Sequence, residues 1–322
     1  MARQRDTLDH ILDRYLAEYG AKRWVAGTRT EVTRSFKVDV RPTLGARPIE
    51  DITRRDVREL LDVIVARDKA PHAHHVLAYL RPAFKWAVGK EIITVDPTAG
   101  IPDPDPRKRE DRSRDRYLDD GEIALFWPAC EKLGWPFGPL FQLLLLTAQR
   151  RDELAEAYRS EFDLDKALWT LPRERAKNKK EHVVHLSPLA VAIIKNLPMI
   201  GTKGLLFTTT GESPISGFGR ARDRAKATMT ERRQGDAAPI AHFTRHDLRR
   251  TAATGMAGLG IAHHVVDKIL NHTSGKISGV AAIYNRFEYL DERKAALETW
   301  SRRVETLAGL ASPNVVQLAA AR

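Results

Sequence analysis

In the stretch TRHDLRRTAAT, residues 244–254, His246 and Arg249 stand three residues apart, on one face of a helix. The apolar positions of that helix are Leu248, Ala252, Met256 and Leu259. At about 100° per residue, Arg249 falls inside their arc, whereas Asp247 and Arg250 fall on the far side. A guanidinium in an apolar arc loses hydration unless an anion meets it. A buried carboxylate is one such anion and a phosphate is another, since arginine's planar, permanently charged donors suit both. Three further segments place a basic or polar residue at the end of an apolar element. In LLLLTAQRRDEL, Arg150 directly follows the apolar run and Glu153 comes three residues later. In RERAKNKKEHVVHL, Lys177 shares a polar connection with Lys179 and Lys180. In VVDKILNHTSG, His272 closes an apolar helix, and Tyr284 follows twelve residues on, in AAIYNRFEYL. Transfer of a phosphodiester without a metal needs residues of these types: a nucleophile, positive charge on two non-bridging oxygens and a proton donor.

Each residue also has an ordinary structural use. Arg249 fits a buried ion pair, Arg150 fits a helix-end cation, and His272 fits a satisfied helix-end histidine. Tyr289 stands five residues from Tyr284 and competes with it, as Lys179 and Lys180 compete with Lys177.

Composition narrows the classes. The chain has 322 residues, enough for two domains with a core in each, and a net charge of +11 that points to a polyanionic partner, nucleic acid first. A single cysteine, Cys130, excludes an internal disulfide and a cysteine-based zinc site. The histidines at 72–75 and 263–264 look like metal clusters, but no acidic or cysteine partner in the sequence completes a site, so no metal or other cofactor is expected. No apolar run reaches the roughly 18–20 residues of a membrane span, and the first residues lack the apolar core of a signal peptide. The expectation is a cytoplasmic protein that does not enter a membrane.

These residues must be positioned by two sets of elements. Helical periodicity runs over 7–20, about 28–40 (ending before Pro42), 48–67 with Thr53 as N-cap and Asp56 at the third helical position, and 72–93, where Pro82 implies a kink or a late start. This predicts an all-helical domain over 1–96. Residues 97–117 are rich in proline and charge and read as a linker. Asp119 and Glu122 form a capping-box pattern that opens a second domain over 118–308, followed by an Ala-rich tail over 309–322. Within it, helices are predicted near 119–133, 137–148, 151–159, 188–197, 216–231, 244–258, 262–271, 277–284 and 288–308. KALWTLPR and EHVVHLSP form a predicted antiparallel hairpin, and GLLFTTTG a possible third strand. RARDRAKATMTERRQ, residues 220–234, suits a helix that tracks phosphates or one that is merely solvated. The amphipathic segment after Tyr284, with Leu290, Ala296, Leu297, Trp300, Val304 and Leu307, suits docking on a neighbouring protomer or packing on its own domain.

TAQRRDE, the hairpin lysine, HDLRRT, LNH and a tyrosine shortly after, in that order, resemble the tyrosine recombinase (phage integrase) family, and the AIYNRFEYLDERKAALETW ending is most similar to integrases of prophages and genomic islands. The resemblance covers about residues 115–308, and the N-terminal helices resemble the family's core-binding domain. It implies a mainly α fold with a small antiparallel sheet: a SAM-like helical domain and an α+β catalytic domain, closing as a C-shaped clamp on duplex DNA. It further implies that Arg150, Arg249 and His272 hold the scissile phosphate, and that His246 assists proton transfer. Lys177 would protonate the departing 5′-oxygen and Tyr284 would attack phosphorus, with Glu153 buttressing the site and Arg245, Arg250, Lys179 and Lys180 on the DNA. The implied activity is metal- and ATP-independent site-specific recombination through a 3′-phosphotyrosyl intermediate. The implied partners are attachment-type duplex sites, a homo-tetramer joined through the C-terminal helix, and an accessory DNA-bending protein where sites require one. Integrases of this kind usually carry an additional arm-binding domain before these helices, so simple sites or a shortened chain are expected here. The rival readings are a type IB topoisomerase-like enzyme and a catalytically silent DNA-binding protein.

Overall fold

The computed structural model describes residues 6–107, 115–233, 239–272 and 288–310. The chain divides into two compact units, 1–114 and 115–322, each with its own apolar cluster.

The first unit is helical. In α1 (Leu8–Tyr15) the periodic positions Leu8, Ile11, Leu12 and Tyr15 are buried, and the helix widens into a π-type segment, Leu16–Gly20, before the short α2 (Ala21–Arg23). α3 (Ala26–Ser35) likewise continues as a π-type segment, Phe36–Gly45, so the helix runs past Pro42 instead of stopping before it. The wider winding moves the carbonyl that would meet the proline ring in an α-helix. It also keeps Phe36, Val40 and Leu44 in the core. α4 (Arg54–Val65) begins at the expected capping box, Thr53 N–H donating to Asp56 at 2.8 Å. α5 (Ala70–Gly89) contains Pro82 within one continuous helix. The stretch read as linker does not leave this unit at once. Ile101 joins the first core, its carbonyl accepts from Arg81 at 2.7 Å, and Asp103 meets His74 at 2.9 Å. His72 meets the buried Asp39 at 2.8 Å, so these histidines are engaged in carboxylate pairs.

The second unit opens with α6 (Asp120–Leu133), capped by Asp119 and Glu122 as its sequence pattern predicts. α7 (Phe137–Thr147) is buried all round from Leu140 to Thr147, as a helix without a polar face must be. It is followed by α8 (Arg151–Ala155) and a three-stranded antiparallel sheet in the order β1 (Phe162–Asp163), β2 (Leu168–Leu171), β3 (His182–His185), with Trp169 opposite Val184. The predicted hairpin is β2–β3. The predicted third strand is not in this sheet: Leu205 makes a lone bridge to Tyr158, while Leu206 and Phe207 are buried in the core. Its apolar run reflects burial, and Gly201, Gly204 and Gly211 around it adopt left-handed turns that interrupt a ladder. α9 (Pro188–Lys195), α10 (Phe218–Arg232), α11 (Arg245–Gly258), α12 (His263–Ile269) and α13 (Leu290–Leu307) complete the described part. The predicted helix at 277–284 lies outside the described residues.

α13 corrects one expectation. Its apolar face is spent inside its own unit: Ala296, Leu297, Trp300 and Val304 are buried against α6, α7, α11 and α12, and Trp300 Nε1–H donates to the Leu145 carbonyl at 2.8 Å. That face is therefore not free to dock on a second copy. The fit depends on Gly255, where an added Cβ would lie 2.1 Å from Trp300 Cζ3. Gly255→Ala is expected to destabilise the chain by about 1–3 kcal/mol through overpacking, against the gain that alanine ordinarily brings to a helix. A denaturant midpoint at or above that of the wild type would contradict this packing.

Candidate active site

α7 ends in a left-handed residue, Ala148 (φ 55°), which turns the chain so that Arg150 becomes the N-cap of α8. α11 starts at a third capping box, Thr244 N–H donating to Asp247 at 2.6 Å, and presents Arg245, His246 and Arg249 on its first turns. The β2–β3 connection carries Lys177. Together these segments line one cavity of about 500 Å³ with Arg150, Glu153, Lys177, Arg245, His246 and Arg249 on its walls.

Arg249 is only 4% exposed and forms no ion pair among the described residues. Its Nη1 donates to the Ala148 carbonyl at 2.6 Å and its Nη2 to the Leu270 carbonyl. Arg150 Nη2 reaches the next carbonyl, that of Asn271, at 3.2 Å. These acceptors lie at the C-terminal ends of α7 and α12, where carbonyls lack intrahelical partners and carry the negative pole of the helix. Two helix ends thus hold two arginines side by side, and for Arg249 the partners they supply are carbonyls that leave its charge in place. Burial, and then the charge of Arg150, bring the Arg249 guanidinium down to about 9, still cationic at neutral pH. Among the described residues the buried ion pair that the sequence allowed does not form, and carbonyls take the carboxylate's place on Arg249. Its remaining donors are available to the cavity.

Glu153, also 4% exposed, ties the walls together: its Oε1 accepts from Arg150 Nη1 at 3.1 Å and from the Lys177 backbone N–H at 3.2 Å. Of the competing lysines, Lys177 lines the cavity, whereas Lys179 Nζ reaches the Glu174 carbonyl and Lys180 does not line it. His246 is held below its ordinary value by lost solvation and then by Arg250 and Arg249. His272 lies just after α12, off the cavity wall, with Nδ1 3.3 Å from Asp267. Burial, then Arg249, lower its pKa. A carboxylate only accepts, so Nδ1 carries the hydrogen of that bond. Arg250 bonds to Asp247 at 2.7 Å. Asp247 itself is fully buried, not on the solvent side, because its carboxylate serves both the helix cap and Arg250. Tyr284 lies outside the described residues. Its competitor Tyr289 begins α13 with its ring 4.7 Å from that of His264.

Several supporting residues escaped the sequence reading. Gln149 and His182 both donate to the Ile269 carbonyl, at 2.9 and 3.1 Å, and Asn178 bonds to Asn271 Oδ1 at 2.5 Å. Arg175 joins the Glu153 carbonyl to Glu161. Only His182 left a signal: it alternates in phase with the inward-facing Val184 of the same strand.

A cavity walled by Arg150, Arg151, Arg175, Lys177, Arg245 and Arg249 against Asp152, Glu153 and Glu156 has an excess of positive charge, which suits a phosphate diester. Among the described residues no group of three His, Cys, Asp or Glu is placed to hold a metal ion. The sequence profile of the Phage integrase family matches residues 116–289, more than half of the chain and including every wall of this cavity. The chain belongs to the phage integrase family. It is a tyrosine site-specific recombinase. A second profile, the phage integrase central domain, matches residues 8–103, the helical unit. Among similar proteins, prophage integrase IntZ of Escherichia coli is 29% identical over 295 residues, covering 90% of this chain and 69% of the relative. In fold, the phage integrase chain resembles a lambda integrase fragment solved as a dimer bound to a core site, with a TM-score of 0.65, 21% identity and coverage of 85% and 98%. It also resembles a lambda integrase tetramer bound to a Holliday junction, with a TM-score of 0.64, 20% identity and coverage of 85% and 76%. Among the described residues no helix is long and apolar enough to cross a membrane.

Proposed function

We propose that this recombinase breaks and rejoins duplex DNA at attachment-type sites, with Tyr284 as nucleophile and Arg150, Arg249, His246, His272 and Lys177 as the phosphate-handling set. The observation that carries the reading is the buried Arg249, held by backbone carbonyls, sharing one cavity with Arg150, His246 and Lys177. Tyr284 Oη gives its proton to His246 and forms a bond to phosphorus, the bond to the 5′-oxygen breaks, and Lys177 gives that oxygen its proton. The 3′-phosphotyrosyl bond conserves the energy of the diester, so the reverse attack by a 5′-hydroxyl of another strand needs no ATP. The arginines meet the charge that builds on the non-bridging oxygens. Glu153 holds Arg150 and the Lys177 backbone in register.

The working assembly is a homo-tetramer on two duplexes, with an accessory DNA-bending protein where the site requires it, and the site of action is the bacterial nucleoid. Lambda integrase solved as a tetramer on a Holliday junction supports this assembly. The helical unit 1–96 and the residues Arg245, Arg250, Lys179 and Lys180 contribute DNA contacts.

The test uses nicked suicide duplexes carrying candidate attachment sites. The wild type is expected to form a covalent adduct at a 3′-phosphate with chelator present, and Tyr284→Phe to form none. An adduct with Tyr284→Phe would move the nucleophile elsewhere, Tyr289 first. No wild-type adduct on any site would favour a silent DNA-binding protein.

A further inference from the structure

Three guanidiniums gather at one wall of the catalytic cavity, and of them only Arg245 has a role above, as an unspecified DNA contact. Phe218 opens α10 and packs edge-on against Phe137, with ring centroids 5.9 Å apart. The guanidinium carbon of Arg151 lies 4.9 Å from the centre of the Phe218 ring, and that of Arg245 lies 5.8 Å away. Arg222 follows one turn along α10, near enough that it and Arg151 both oppose the charge of Arg245, whose pKa is lowered first by burial and then by these two. The local carboxylates are those of sequence neighbours: Asp152 on Arg151 at 2.5 Å and Asp223 on Arg222 at 2.6 Å, both well exposed. Both carboxylates are open to solvent and salt, so a phosphate seated in the cavity competes with them for these guanidiniums. Arg245 makes no ion pair among the described residues, so the cluster keeps one uncompensated cation. A phenyl face orients the planar groups that lie over it.

We propose that Arg151, Arg222 and Arg245, gathered around Phe218, form a second phosphate subsite that holds the DNA phosphate neighbouring the one clamped by Arg150 and Arg249. The inference rests on the strand-exchange reading above. Arg151 and Arg245 line the same cavity as Arg150 and Arg249, and Arg150 and Arg151 are consecutive residues at a helix start, where their side chains diverge. Phosphates recur along one strand about every 3.4 Å of helix axis, so a strand seated on the first clamp brings its next phosphate towards this cluster. The subsite thereby sets which phosphate enters the catalytic clamp.

Two measurements on the full chain test it. The first is the salt dependence of affinity for a short fluorescent duplex of arbitrary sequence. Arg245→Gln is expected to reduce the slope of log affinity against log salt by about 1, with Arg245→Lys restoring it. Adding Arg222→Gln to Arg245→Gln should reduce it no further, because one phosphate is shared. An unchanged slope for Arg245→Gln, or losses that add, would overturn the shared subsite. The second is adduct formation on suicide duplexes in which a phosphate on either side of the scissile one is replaced by a neutral methylphosphonate. One of the two replacements should slow the wild type and leave Arg245→Gln, already slow, unaffected. Multiplying effects, or no slowing from either replacement, would place these arginines off the strand. Failure of the catalytic reading looks different: the wild type then forms no adduct on unmodified duplexes.

Discussion

Arg249→Lys is expected to slow adduct formation by about a hundred- to a thousand-fold, with the fold retained. Arg249 spends one nitrogen on the Ala148 carbonyl and one on the Leu270 carbonyl, and still faces the cavity beside Arg150. A planar fork with five N–H donors serves two helix ends and a phosphate together, whereas an ammonium is a single point of charge that cannot span all three. The lysine variant therefore keeps a cation in the cavity but loses a donor aimed at the oxygens where charge builds. Arg249→Ala is a harsher change. It leaves two buried carbonyls without a partner, each costing about 1–3 kcal/mol. Single-turnover cleavage of a suicide duplex separates these effects when read beside the melting temperature of each variant. A lysine variant that cleaves within tenfold of the wild type would show that Arg249 serves the fold alone.

The second large effect is on stability in acid. His182 is buried on β3 with Nε2 bonded to the Ile269 carbonyl, and burial, followed by the charge of Arg293, holds it down to about 3 from an ordinary 6.5. The unfolded chain binds a proton at this residue below about pH 6.5, and the folded chain only below about pH 3. Between those values the unfolded state holds more protons, so stability falls as the pH falls. The full gap corresponds to roughly 4–5 kcal/mol, a large share of a typical domain's stability. Other depressed histidines, His185 and His272, push in the same direction. His182→Gln keeps an N–H for the Ile269 carbonyl and removes the titration. Its loss of stability between pH 7 and pH 4 is expected to be about 3 kcal/mol smaller than that of the wild type. Denaturant unfolding at a series of pH values reads this directly. Parallel curves for the two proteins would show that His182 is not the acid-sensitive group.

The elements legible in the sequence are those governed by near neighbours. The capping boxes at Thr53 with Asp56 and at Asp119 with Glu122 are contacts across three residues, and both formed where their pattern predicts. The β2–β3 hairpin followed from alternation on either side of a polar connection. Long-range partners were not legible. The third cap, Thr244 with Asp247, was hidden because Asp247 falls on the apparent solvent side of α11, and its burial depends on Arg250 and on the packing around it. The apolar run at 204–207 showed that it would be buried, but not whether a sheet or the core would receive it.

By itself, the sequence determined that Arg249 would stand in an apolar arc, that α13 would have an apolar face, and that motifs in a set order belong with phosphodiester chemistry. Only the tertiary structure decided what meets each of them. Periodicity reports which face of an element leaves water, and carries no information about what lies opposite. For α13, that is the core of its own unit, through Trp300 and Gly255. For Arg249 it is a pair of carbonyls, at residues 148 and 270, that become acceptors only because two helices end beside it. A backbone carbonyl has no sequence signature, so a charge balanced by helix ends looks, in the sequence, the same as a charge waiting for a carboxylate.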